Sequence, residues 1–554
     1  MHTAYAFEAK SIQSFLTEGG RLRHMVGASA LVDGLARESD PPDDLIARLA
    51  QAEPAFRDIT FSRRAGGAFI ALHPDAAILA GFRAAFTAAL ALVAPGLVYN
   101  DALATGEDDH ASLVALRPKL DAAAAAPPLD LPTAQPAFAL APRTGRPAIG
   151  AVGKDDLADA ATAAKEAALI ADRRAPGGIG TRLLPTEVAG LRWPLDMEPG
   201  GPDSFPLLRG NQTVAVMHAD GNRFGSAISA FVADLRAARA PDAITALREL
   251  SRMIGTATLA AARTAVAQDL LGHAREGMLP ARPIVLGGDD LTIILRGDVA
   301  LPFTQRFLDR FAAETAERLA RLREGEALPG GNPLSEPSRA ALARHFPEGL
   351  TAGAGLCLVK SGQPFDRALT LAEEIAKHAK TTAKGALGAT PSLLALHRVT
   401  GASFQPYGDV LDAELTVSFE GRALLLTAGP YASDGSAPSD RPPMQALLDL
   451  ADILDDPAFP GGVMRRIVGE LRRAPIEAAH DYRRFREVQT QRGGSSAARR
   501  TLIARFDETL GRLGVVDPSV LPRRADGGMP LLDAFSILAA RREGGDAQET
   551  RDDD

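Results

Sequence analysis

One cysteine, Cys357, stands among 554 residues. That excludes an internal disulfide and any zinc site built from several cysteines. No uninterrupted apolar run approaches the ~18 residues that a membrane-crossing helix needs. The longest candidate, "FTAALALVAPGLV" from Phe86, is broken by Pro95. The opening "MHTAYAFEAKSIQ" lacks the basic stretch and long apolar core of an export signal. A reducing cytoplasm, with no membrane partner, is the expectation. Positive charge is also in deficit: the net charge is −8 and the chain closes on "ETRDDD". The molecule as a whole therefore carries no electrostatic footprint for duplex DNA, though a local basic groove remains compatible with that balance.

Core material is ample, at 46% hydrophobic residues, and the length predicts three or four domains. Composition breaks fall at 121–147, which is Pro-rich with few charges, at 200–212, and at 429–443. They divide the chain into 1–125, a linker or helical insert at 126–211, a block at 212–400, and a mostly helical part at 401–554. Within the third block, "TVAVMHA" reads as a buried strand. "AISAFVADLRAAR" and 243–271 read as helices, and "PIVLGG" with "LTIILRG" as a hairpin. A long amphipathic helix from Leu301, the strand "LTAGAGLCLV" and the helix "PFDRALTLAEEIAKHAKTTAK" follow. The order βααββαβα is ferredoxin-like with one added helix, so the fold class is α+β.

The first 125 residues repeat the pattern. "AYAFEAKSIQSF" (4–15) sits where "VAVMHADGNRFG" (214–225) does, and "RAGGAFIAL" (64–72) where "VLGGDDLTIIL" does. The pairing implies an internal duplication in which the first copy has lost its carboxylates. It sets Lys10 at the place of Asp220 or Gly221, and Ala68-Phe69 at that of Asp289-Asp290.

Gly287-Gly288-Asp289-Asp290, taken alone, is a hairpin turn, and "DGN" from Asp220 is an ordinary turn signal. Together, at the ends of two strands expected to be neighbours, they converge three carboxylates. Hard divalent ions such as Mg²⁺ or Mn²⁺ take a few carboxylates and fill the rest of their shell with water and substrate phosphate. Two such ions can activate an attacking oxygen and stabilise a leaving one. Lys377, Lys380 and Lys384 share one helix face. Lysines on such a face are ordinarily solvated, but Lys380 and Lys384 follow the fourth strand, where cations can neutralise a triphosphate. "DDH" at 108–110, without further ligands, reads as a loop rather than a nuclease centre.

These motifs resemble the palm domain shared by GGDEF-type cyclases and the large polymerase/cyclase subunit of type III CRISPR effector complexes. The carriers are an Asp at the first strand's end, the GGDD hairpin, and an "A-E-x-x-x-x-x-A-K" helix followed by Lys384-Gly385. GGDD itself points to the CRISPR group. So does "EAKSIQSFLTEGGRLRHMVGASALVDGLA", which resembles the opening of that subunit's degenerate first palm. The resemblance spans most of the chain, with sharp motifs confined to about 40 residues.

It implies two ferredoxin-like palms, only the second with GGDD, and a helical C-terminal domain. It also implies an ATP-using cyclase that makes cyclic oligoadenylate messengers, with guide RNA and effector subunits as partners. Carried over, Asp220 and Asp289 would hold metal, with Asp290 and the Gly221 backbone beside them. Gly221, Asn222, Arg223, Phe224, Gly225, Gly287, Gly288, Lys380 and Lys384 would border the nucleotide. Arg23 and Ser29, otherwise bland helix residues, would lie near the interface between palms. The chain departs from the family where Asn222 replaces a carboxylate of the usual Asp-Gly-Asp-Asn-Met-Gly, and in the lack of a nuclease domain and of a cysteine-rich zinc element. A non-catalytic nucleotide- or RNA-binding scaffold, and a stand-alone cyclic dinucleotide synthase, remain as alternatives.

Overall fold

In the computed structural model, the described residues are all but 38–42, 66, 126–138, 153–155, 173–177, 186–187, 189, 198–199, 209–211, 329–330, 384–389, 402, 434–439, 492–496 and 543–554. The protein is mixed α+β, organised on two large sheets whose strands are numbered together. The first holds β1 (His2–Lys10), β2 (Thr60–Ala65), β3 (Ala68–His73) and β4 (Val98–Gly106) in the order β2-β3-β1-β4. The second holds β5 (Thr213–Gly221), β6 (Ala281–Gly287), β7 (Asp290–Arg296), β8 (Ala352–Lys360), β9 (Leu393–Arg398) and the short β10 (Tyr431–Ala432). Its order is β10-β9-β8-β5-β7-β6. With β9 and β10 set aside, both sheets have the ferredoxin-like order 2-3-1-4.

Strand periodicity explains the first sheet. Alternate side chains point to opposite faces. Tyr5 and Phe7 therefore join Phe69, Phe82 and Phe86 beneath the helix Ala76–Val93, in edge and stacked ring contacts. Ala4 and Ala6 join Leu116 and Leu120 under the helix Asp109–Ala125. Ala76–Val93 is long and apolar enough to cross a bilayer by length and composition, although Arg83 interrupts its apolar run. Arg83 is paired with Asp101 at 2.7 Å. "DDH" opens the helix Asp109–Ala125, where Asp108 accepts from the Ala111 amide at 2.7 Å.

The register corrects the alignment of the two halves by one to two residues. Both hairpins close over two-residue turns, through Ala65 opposite Ala68 and Gly287 opposite Asp290. In the first sheet Glu8 pairs with Ala68. In the second, Ala219 pairs with Leu291, which brings Asp220 beside Asp290. The counterpart of Asp220 is thus Glu8, not Lys10. The counterpart of Asp289-Asp290 is Gly67-Ala68.

The third block gains one helix over its expected order, Glu336–His345, between the long helix Gly297–Glu324 and β8. β9 is a further addition, parallel to β8. β8 is buried over all but its last residue, as a strand covered on both faces must be. The helix Phe365–Ala383 packs against β8 and β5. It lies close because Gly353 and Gly355 carry no side chain: a Cβ on Gly353 would fall 2.4 Å from Lys380 Cγ, and one on Gly355 2.1 Å from the Ala372 carbonyl.

The two sheets are joined by packing. The helix Leu22–Asp33 meets β6, where the Ser29 hydroxyl donates to the Ile284 carbonyl. The helix Ala160–Asp172 lies on Leu22–Asp33, and buried Lys165 donates to the Phe15 carbonyl at 2.6 Å. Beyond β10 the chain is helical from Met444 to Arg542 apart from its connections.

Candidate active site

The β6–β7 turn is Gly288-Asp289. Gly288 has φ 59° at the first central position, as a II′ hairpin turn requires and a side chain resists. Thr258, fully buried in the helix Ala243–Ala265, donates from its hydroxyl to the Gly288 carbonyl at 2.7 Å. This fixes the tip against a rigid element.

Asp220 and Asp290 come together with His218, one ligand atom from each lying within 4.8 Å of the others. Asp289 sits on the Gly221 side, since a Cβ on Gly221 would lie 2.7 Å from Asp289 Oδ2. The Lys380 ammonium, delivered by the close approach at Gly353, bonds the Asp220 carboxylate.

Among the described residues, Lys380 is the lysine at this three-carboxylate cluster, bonded to Asp220 and lowering the pKa of the other two through its charge. Burial and the Asp220 charge push the Asp289 carboxyl up to about 6. Burial, then Asp289 and Asp220, push Asp290 well above the usual carboxylate range. A site whose carboxylates repel each other in a low dielectric is one that a divalent cation relieves. Carboxylate oxygens are the donors that hard ions prefer. His218 adds a neutral ring: burial drives its pKa down to about 4, and Nδ1 meets Thr292 Oγ1 at 3.0 Å. The donor set fits Mg²⁺ or Mn²⁺ held by Asp220 and Asp290, with Asp289 and His218 adjoining.

The other expected residues divide. Gly287 and Gly288 form the turn itself. Arg223, at φ 62°, and Gly225 are exposed at the start of the helix Phe224–Ala237, whereas Phe224 is buried against Phe311. Asn222, close to Asp220 in sequence, is buried, and its amide is bonded elsewhere than to the acids. Its amide donates to Thr351 Oγ1 at 3.0 Å and to the Pro391 carbonyl at 3.2 Å, so it ties the β5 exit to the β8 and β9 entries. Arg23 is paired with Glu166 at 2.7 Å, and Ser29 is committed to Ile284. Neither meets the carboxylates. Lys384 lies outside the described residues.

Sequence reasoning passed over His218, Thr258 and Gly353. His218 was accessible in principle, being two residues before Asp220 on one strand and so on the same face. The alternating glycines of "TAGAG" were a sign of close helix approach. Thr258 carried no signal.

An antiparallel ferredoxin-like sheet with acids at the first strand's end and on the central hairpin is the class of structure the fold and site define. Among solved structures, this one resembles Csm1 over nearly its whole length at low identity. Csm1 in T. onnurineus matches at TM-score 0.47 and 13% identity, over 98% of this chain and 70% of that one. A Csm1–Csm4 cassette in complex with cA4 matches at 0.41 and 14%, over 86% and 64%. A Csm1–Csm4 subcomplex of the type III-A CRISPR-Csm interference complex matches at 0.44 and 14%, over 98% and 70%. No protein-family model and no curated protein matches the chain.

Proposed function

We propose that the protein is a divalent-metal-dependent nucleotidyltransferase that joins ATP into cyclic oligonucleotides, with 212–400 as the working palm and 1–125 as a degenerate one. The observation that carries this reading is the meeting of Asp220, Asp289 and Asp290 with Lys380 at adjoining strand ends. Bound there, the metal would polarise the α-phosphate and lower the cost of ionising a 3′-hydroxyl. That hydroxyl attacks the α-phosphorus of a second nucleotide. The O3′–P bond forms as the bridge to the β-phosphate breaks; pyrophosphate leaves, and the hydroxyl proton is lost to a carboxylate or water.

Lys380 can shift from Asp220 to the phosphates, where its charge offsets that of the leaving pyrophosphate. The bare Gly287-Gly288 backbone lets a nucleotide approach. Asn222 acts as a brace in this reading, so its amide in place of a carboxylate does not subtract a metal ligand. The same reading makes the chain a subunit of an RNA-guided effector complex, which co-purification with RNA and neighbouring subunits tests.

Incubation with labelled ATP and Mg²⁺ is expected to release pyrophosphate and yield 3′-linked cyclic products. Equal turnover by Asp289→Ala/Asp290→Ala and the native protein would sink the proposal.

A further inference from the structure

A cavity of about 600 Å³ opens at the end of β9 away from the carboxylates. β9 begins at Leu393, opposite Gly353, which itself pairs with Asp220. It ends at Arg398, roughly 17 Å further on at about 3.3 Å per residue. Arg398, Arg465, Arg472 and Arg473 line the opening. This inverts the charge of a chain that is −8 overall. The one carboxylate in the lining, Asp533, is turned inward: it accepts from Thr427 Oγ1 at 2.9 Å, from the Ala428 amide at 3.0 Å, and from the Tyr431 hydroxyl. Arg472 also approaches Glu414 at 3.6 Å, outside the lining.

The floor is apolar, made by Leu396, Leu415, Leu532 and Phe535, with the Arg465 guanidinium 5.6 Å from the Phe535 ring centroid. His397, 6% exposed, reaches the same space.

We propose that this cavity is a nucleotide-binding site separate from the carboxylate cluster. Guanidinium forks match phosphate oxygens in pairs. An apolar floor of this size suits a flat ring, and the volume falls in the range of ligand pockets. A bare inorganic anion would leave the floor unused, and an extended acidic peptide would not fill a concavity. The nucleotide is either free in solution or the phosphorylated end of a single-stranded RNA. The proposal does not depend on turnover at the acids.

The test is equilibrium binding with divalent ions chelated, so that binding through metal at the acids is removed. The probes are labelled ATP and a 5′-phosphorylated single-stranded RNA. Three proteins are compared: native, Arg472→Ala/Arg473→Ala, and Lys380→Ala. Both arginines are exposed, and an unchanged melting midpoint checks that the double variant is folded. The expected result is that at least one probe binds the native protein and binds the arginine variant about tenfold or more weaker, while Lys380→Ala stays within about twofold of native. Loss with ATP identifies a free nucleotide; loss with RNA alone identifies a strand end. Failure of the native protein to bind either probe, or equal affinity of the native and arginine-variant proteins for both, overturns the proposal.

Discussion

Two hairpins with two-residue turns occupy the same place in two sheets of the same strand order, and they differ in charge. In the first, Glu8 faces Ala68, and Lys10 bonds Glu8 at 2.8 Å. One carboxylate meets one lysine at a partly exposed site, an arrangement worth little in stability and needing nothing more. In the second, Asp220 also meets one lysine, but Asp289 and Asp290 stand beside it, and burial and mutual repulsion raise the pKa of both. The comparison teaches that the strand frame is indifferent to chemistry. What separates the two hairpins is a surplus of two carboxylates in the second.

The largest effect that sharpens this contrast is catalytic. Asp289→Ala/Asp290→Ala is expected to lower pyrophosphate release by about 10³-fold or more, while Glu8→Ala leaves it within about twofold. Comparable losses from both would erase the distinction between the halves.

Next in size is the stabilisation by Mg²⁺. The native melting midpoint is expected to rise with Mg²⁺, by about 3 kcal/mol of stability near a hundredfold excess over Kd. Asp290→Asn should lose most of that rise and, without metal, should lose less stability than native as pH rises, because no buried carboxyl then has to ionise at that position.

A pH effect follows from His218, whose counterpart in the first sheet is Ala6. Its folded pKa, about 4, lies below the ordinary 6.5. The neutral form's contribution is therefore complete above about 6.5 and is lost as pH falls toward 4. His218→Ala should flatten that acid limb by at most about 2 kcal/mol, allowing for partial exposure. Melting curves from pH 4 to 8 measure it, and parallel curves for the two proteins would contradict it.

The smallest effect concerns delivery of the lysine. Gly353→Ala places a methyl group against Lys380 and should cost about 1–3 kcal/mol of stability, with a fall in turnover of about tenfold. The corresponding first-sheet position, Asn100, already carries a side chain opposite Glu8.

How much of this was legible follows from period and proximity. The strand and helix runs of 212–397 show in the apolar pattern, because burying one face forces periods of two or 3.6. GGDD and Asp220 stand out because turn glycines and adjacent acids are local. The register of the first half did not show: a slip of two residues keeps the same strand face and is invisible to pattern matching, yet decides that Glu8, not Lys10, matches Asp220. The orientation of Asn222 was equally hidden. Its partners, Thr351 and Pro391, lie more than a hundred residues away.

By itself, then, the sequence determined the elements, the duplicated strand pattern and the identity of the acids, since each depends on neighbours within a turn or a strand. Only the tertiary structure decided which acids stand against a lysine, that His218 joins them, that the Asn222 amide bonds Thr351 and Pro391, and that four arginines meet around one cavity. Each of those depends on strand order and helix depth, which arise when distant segments bury their apolar faces together.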